Sequence, residues 1–276
     1  MSKDYLAELF DLGGKTVAIT GGGGILCGEL ARALGRAGAN VVVLDIFEDK
    51  ACEVADQVAK GGGKALAVKC DVLDRASIEQ AQRAAADAFG QVDILINGAG
   101  GNKKEATTGE LSFFDLPPEA IRWVFELNIL GTIMPCQVFG KSMAEREQGS
   151  ILNVSSMSAF QPLTRVAAYS AAKAAVSNFT AWLAVHMSQE YAKDIRVNAI
   201  APGFFLTEQN RFLLTDEKTG ELTARGQQII DHTPMGRFGE PKDLVGTVLW
   251  LLSPSASFVH GAVIPIDGGF ASYSGV

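Results

Sequence analysis

The chain has 276 residues, of which 47% are apolar and 20% charged, and 30 are glycine. Hydrophobicity at that level excludes an intrinsically disordered chain. A balance of 24 basic against 31 acidic side chains, net −7, excludes nucleic acid or an anionic membrane as the main partner.

The first eleven residues carry Lys3, Asp4, Glu8 and Asp11 and no apolar core segment, so they do not read as a signal peptide. No apolar run approaches the ~18 residues of a membrane helix. Residues 15–20 are a short β-rich run that ends in glycines. Residues 25–37 are helical, with Leu26, Leu30, Ala33, Leu34 and Ala37 on one face. Residues 40–46, NVVVLDI, form a continuous apolar strand, the pattern of a parallel strand buried on both faces. A helix over 49–60 stops at Gly61-Gly62-Gly63. A third strand spans 65–70, a helix capped by Asp74 spans 74–89, and a fourth strand spans 92–97. A long helical stretch over 118–147 leads to a strand over 150–155. A second long helix, 166–191, precedes a strand over 195–200. Residues 203–240 lack clean periodicity. A helix over 241–252 and a strand over 262–266 close the chain. This alternation predicts an α/β fold: one Rossmann-type doubly wound domain over 1–276, about seven parallel strands flanked by helices, with right-handed crossovers.

Between the first strand and first helix lies Thr20-Gly21-Gly22-Gly23-Gly24-Ile25-Leu26-Cys27-Gly28. Glycines there let the backbone turn sharply and come close to a phosphate, while the helix start offers free N–H groups and positive potential. Gly21, Gly23, Gly24, Ile25 and Leu26 are therefore assigned to a dinucleotide pyrophosphate. Asp45 ends strand two about 20 residues on, where an acid accepts the adenosine ribose hydroxyls and repels a 2′-phosphate. NAD(H) is thus expected over NADP(H). Asp71-Val72 after strand three, with Asp71 either a cap or an adenine contact, and Asn97, Ala99 and Gly100 after strand four complete that edge. Cys27, Cys52, Cys70 and Cys136 form no CxxC pair and, with His186, His232 and His260, no zinc spacing. No metal is expected, and a reducing cytoplasm is the expected compartment.

Ser156 ends strand five, and thirteen residues later Tyr169-Ser170-Ala171-Ala172-Lys173 begins a helix. A spacing of four puts Tyr169 and Lys173 on one helical face. With the glycine loop in front, the chain resembles the short-chain dehydrogenase/reductase family with a YxxxK active site, from about Asp11 to Phe270. Asn97-Gly98-Ala99-Gly100 is similar to that family's NNAG element. The resemblance implies Asn128 as a fourth catalytic residue that holds a water linking Lys173 to solvent. It also implies Pro202-Gly203 as a turn beside the nicotinamide, a substrate lid over about 203–240, and a homotetramer.

The chemistry requires a hydride from the cofactor and a proton delivered to a carbonyl oxygen. Tyrosine ionises near 10, so a phenolate at neutral pH needs about 3 units of lowering, or about 4 kcal/mol. The Lys173 ammonium is expected to contribute. Tyr169 is then general acid or base, and Ser156 holds the oxygen. One departure stands out. The family pattern TGxxxGxG would place glycines at 25 and 27, where this chain has Ile25 and Cys27.

The polar loop over 101–108 and the lid segment Gln209-Asn210-Arg211 place Asn102, Lys103, Gln209, Asn210 and Arg211 where a sugar-acid or polyol substrate would be met. Arg211 is the first candidate for a carboxylate and Lys103 the second. The runs GGGGILCG, NGAGGN and PGFFLTEQNR resemble the branch of the family that interconverts D-fructuronate and D-mannonate. The alternatives are another sugar or polyol dehydrogenase, such as a gluconate 5-dehydrogenase, and a non-catalytic NAD-binding protein, which would be expected to lose Tyr169 or Lys173.

Overall fold

Apolar runs buried on both faces demand hydrogen-bonded neighbours on each side, and a seven-stranded parallel sheet supplies them. In the computed structural model the strands are β1 (Thr16–Thr20), β2 (Asn40–Asp45), β3 (Lys64–Lys69), β4 (Ile94–Asn97), β5 (Gln148–Val154), β6 (Asp194–Pro202) and β7 (Val263–Ile266). Their order is β3-β2-β1-β4-β5-β6-β7, every pair parallel. The structure describes residues 3–207, 211, 214–216 and 219–275. The strand order reverses between β1 and β4, whose last residues Thr20 and Asn97 lie side by side in register. The carboxyl edge at that switch point is where such sheets bind ligands.

The helices are α1 (Lys3–Leu9), α2 (Ile25–Arg36), α3 (Glu48–Lys60), α4 (Arg75–Phe89), α5 (Pro118–Phe125), α6 (Gly131–Glu145), α7 (Ala167–Glu190), α8 (Ala224–Asp231) and α9 (Val245–Leu252). Strand side chains alternate between faces, so β1 sends Val17 and Ile19 into a core with Leu30, Leu34 and Val54. It sends Ala18 to the other face, with Ile78, Phe139 and Leu183. Asp74 caps α4 as expected, its Oδ1 accepting from the Ala76 N–H at 3.0 Å. Arg196 on β6 binds the carbonyls of Leu251 and Leu252, closing the end of α9. Among the described residues no helix is long and apolar enough to cross a membrane.

Four elements differ from the sequence reading. The stretch over 118–147 is two helices joined by a π-turn at Glu126–Leu130. Residues 203–240 contain α8, whose eight residues are too short to show a period; Thr223 caps it through the Gly226 N–H. The helix expected over 241–252 opens as a 3₁₀ turn, Pro241–Leu244. The amino-terminal helix α1 was not expected.

Candidate active site

The glycine loop is shaped by close approach to β4. Gly21 has φ +63°, and a Cβ there would lie 2.9 Å from the Ala99 backbone. Gly24 caps α2 in an extended conformation with its N–H on the Gly21 carbonyl at 3.1 Å, leaving Ile25 and Leu26 in the first turn. Buried Thr20 accepts from the N–H groups of Gly98 and Ala99, which locks the ends of β1 and β4 together. Asp45 is 9% exposed, and its carboxylate accepts from the N–H of Gly23 and of Phe47, each at 3.0 Å. This cradle, which a Cβ would fill and an acid closes at its far end, fits a dinucleotide.

The missing family glycine also has a structural account. A Cβ at Gly98 would fall on the Cys27 sulfur. The side chain gained at position 27 occupies the space left by the glycine at position 98. The departure at Cys27 in the glycine loop is thus matched by Gly98 after β4. Burial pushes the Cys27 thiol up to about 12, so it is a packing group here.

Other predicted cofactor residues take mixed roles. Asp71 caps its own turn through the Leu73 N–H, and Val72 packs against Gly131. The Asn97 amide donates to Asn153 on β5 at 2.9 Å and to Cys136. With 1% exposure its side chain knits the sheet, which leaves only its backbone for the cofactor. Gly203 follows Pro202 at the end of β6, and a Cβ there would strike Asp267 at 2.6 Å.

The four catalytic candidates converge. Ser155 fastens α7 to the end of β5, its Oγ donating to the Lys173 carbonyl at 3.0 Å. Ser156 is buried just past the end of β5, and Tyr169 is partly buried in the first turn of α7. Lys173, 5% exposed, donates to the Val154 carbonyl at 2.8 Å, its Nζ lying 5.7 Å from the Tyr169 ring centroid. Asn128 is fully buried in the π-turn, a distortion frequent at functional sites. Its Nδ2 donates to the carbonyls of Gly101 and Val124. A Cβ at Gly100 would lie 2.8 Å from Asn128 Oδ1 and 3.1 Å from Lys173 Nζ, so only glycine lets these groups meet the loop.

Burial raises the Tyr169 phenol above its ordinary value, and Ser156 draws it partly back. Desolvation brings Lys173 down to about 8. In the protein alone Tyr169 is a protonated donor, suited to giving a proton to a carbonyl oxygen.

The substrate candidates scatter. Asn102 is exposed, and Lys103 places its ammonium over the Trp123 ring at 5.7 Å. Arg211 is exposed, and Gln209 and Asn210 lie outside the described residues. Two basic groups near the site carried no motif. Lys50 packs its Cβ side against Gly23, with its ammonium 5.1 Å from the Phe47 ring centroid. Arg225 lies on α8, the helix that periodicity did not reveal.

A family model described as enoyl-(acyl carrier protein) reductase matches residues 26–271. An uncharacterized oxidoreductase of Bacillus subtilis, UxuB, is 49% identical, over 96% of this chain and 98% of its own length. A structure from Haemophilus influenza, provisionally described as a D-mannonate oxidoreductase and holding NAD, is 46% identical with a TM-score of 0.91. The match covers 98% of this chain and 100% of that one. A gluconate 5-dehydrogenase from Burkholderia cenocepacia, in complex with NADP and tartrate, is 30% identical with a TM-score of 0.86, over 97% and 99% of the two chains.

Proposed function

The chain belongs to the short-chain dehydrogenase/reductase family, and on that premise we propose that it reduces the keto group of a sugar acid with NADH, converting D-fructuronate to D-mannonate and back. The observation that supports the chemistry is the buried Lys173 ammonium, 5.7 Å from the Tyr169 ring centroid and bonded to the Val154 carbonyl at the end of β5, the strand that leads into Ser156. NADH supplies the hydride to the carbonyl carbon. Ser156 holds the carbonyl oxygen, and Tyr169 gives it the balancing proton. Lys173 places its charge beside Tyr169 to assist that proton transfer, and Asn128 ties the loop after β4 through the Gly101 carbonyl.

The sugar-acid assignment draws on the 46% identical relative provisionally described as a D-mannonate oxidoreductase. It draws also on polar side chains beside the site, Gln161, Arg225 and Gln228, which suit a hydroxyl-rich acid better than an acyl chain. Preference for NAD(H) rests on buried Asp45 and is expected to reach at least about 10-fold, or ~1.4 kcal/mol. The homotetramer belongs to the same proposal; exposed Trp123 on α5 and Trp182 and Val185 on α7 are apolar surface that partner subunits would cover. The cytoplasmic setting is proposed from the four free cysteines.

The deciding assay follows NADH consumption with D-fructuronate, 5-keto-D-gluconate and D-fructose. The proposal expects the highest kcat/KM with D-fructuronate. Preference for 5-keto-D-gluconate would move the enzyme to the gluconate 5-dehydrogenase reading. Preference for the uncharged ketose would end the sugar-acid assignment.

A further inference from the structure

A sugar acid brings a carboxylate that must meet a cation. Arg211, the sequence candidate, is exposed, and Lys103 is committed to Trp123. A cavity of about 250 Å³, just under the range occupied by drug-sized ligands, is lined in part by residues that follow Ser156 and Gly203 in the chain. One wall is the segment carrying Gln161 and Thr164, which joins Ser156 to α7. Another is Phe204, directly after the Pro202-Gly203 turn. The third is α8, which contributes Arg225, Gln228 and His232. In the chain, that first wall lies between Ser156 and Tyr169, and Phe204 follows Gly203 directly.

Its polar groups are poised for a ligand. Arg225 is half-buried, and among the described residues no carboxylate pairs with it or with Arg165. Burial, and then the like charge of Arg165, lower the Arg225 guanidinium below its ordinary value. It stays protonated at any physiological pH. Two guanidiniums that feel each other without an anion are relieved by one. Arg165 is held in the left-handed region, φ 71°, while its carbonyl accepts from the Thr108 N–H at 3.0 Å. That turn is tied to the polar loop after β4. The Gln161 Oε1 is buried with no hydrogen-bond partner, a cost that a ligand hydroxyl would remove. Gln228 stands three residues from Arg225 on the same helical face.

We infer that this cavity is the carboxylate subsite: Arg225 binds the substrate carboxylate, Arg165 adds charge at the rim, and Gln161 and Gln228 meet substrate hydroxyls. The inference rests on the sugar-acid reading above, and it moves the carboxylate-binding role from Arg211 to α8. A guanidinium on a carboxylate forms two parallel charge-assisted bonds, which fixes the sugar's orientation as well as its affinity.

The test is steady-state kinetics of Arg225→Gln, Arg225→Lys and Arg165→Gln with D-fructuronate, together with NADH affinity by fluorescence. Arg225→Gln is expected to raise KM at least 10-fold with kcat within about threefold and NADH affinity unchanged. Arg225→Lys is expected to recover part of that loss, because charge returns without the bidentate fork. Arg165→Gln is expected to raise KM about threefold. An unchanged KM in Arg225→Gln overturns the subsite while leaving the dehydrogenase of sugar acids standing. Equal damage from Gln and Lys, or a parallel loss of NADH binding, would make Arg225 a structural prop and overturn it too. If Arg225→Gln fails to fold, Arg225→Lys and Arg165→Gln decide; normal KM in both overturns the assignment. A wild-type enzyme that turns over only uncharged ketoses removes the sugar-acid reading itself, and the subsite with it.

Discussion

Lys173 should cost the fold stability that catalysis requires, and Lys173→Met makes the cost measurable. The ammonium is buried, and desolvation lowers its ionisation from 10.5 to about 8. Between those values the unfolded chain binds the proton more tightly than the folded one, so stability rises with pH across that window. Below about 8 both states are protonated and the penalty is present in full, roughly 3 kcal/mol at most. Methionine keeps the length and apolar stem but removes the charge. It also removes the bond to the Val154 carbonyl, which costs about 1–3 kcal/mol if that carbonyl is left unpaired. The balance predicts that Lys173→Met at pH 7 is between equal to wild type and about 2 kcal/mol more stable, while kcat falls at least ~100-fold. Urea unfolding at pH 7 and pH 10 would measure it. Wild type should gain on the variant as pH rises from about 8 to 10.5. A variant more than about 2 kcal/mol less stable at pH 7, or one with an unchanged stability difference at pH 10, would refute the desolvation argument.

Two predictions concern the chemistry and the cofactor. Tyr169→Phe keeps the ring and removes the transferable proton; kcat should drop at least ~100-fold with NADH affinity intact, and near-normal turnover in stopped-flow assays would remove Tyr169 from the mechanism. Asp45→Ala deletes the acceptor of the Gly23 and Phe47 N–H groups, so KM for NADH should rise ~10-fold or more while KM for NADPH changes less. Wild-type preference for NADPH would overturn the role given to Asp45.

The sheet and the catalytic trio were legible because their signals are local. Continuous apolar runs such as NVVVL can only be strands buried on both faces, and Tyr169 and Lys173 declare a common helical face by spacing alone. What sequence missed depends on tertiary context. The π-turn around Asn128 needs one extra residue per turn, which leaves no trace in composition. Helix α8 is stabilised by a Thr223 cap and by Ile229 packing against Leu214 and Phe270, not by a repeating apolar face. Arg225, proposed above for the carboxylate, therefore carries no motif, whereas Arg211 stands in the lid segment next to two amides. Asn97 shows the converse: it stands in an NNAG-like element at the end of β4, yet its side-chain amide donates to Asn153 across the sheet.

The Cys27–Gly98 pair shows how a departure from a family pattern can keep the site intact. With glycine at 98 the Cys27 side chain fits between α2 and the end of β4; with any Cβ at 98 it does not. Gly98 has no left-handed backbone requirement among the glycines with positive φ, so Gly98→Ala should fail through collision alone. Overpacking of that kind costs about 1–3 kcal/mol. Cys27→Gly alone should also destabilise, by about 1 kcal/mol for glycine in a helix plus the void it leaves. Joined in one chain, the two changes remove the collision and refill the void, so the double variant should be at least ~1 kcal/mol more stable than the two single effects summed. A thermal-unfolding cycle with NADH binding as the second readout measures that coupling. Strict additivity would mean that Gly98 has another reason to be glycine, with backbone clearance for the cofactor the first to examine.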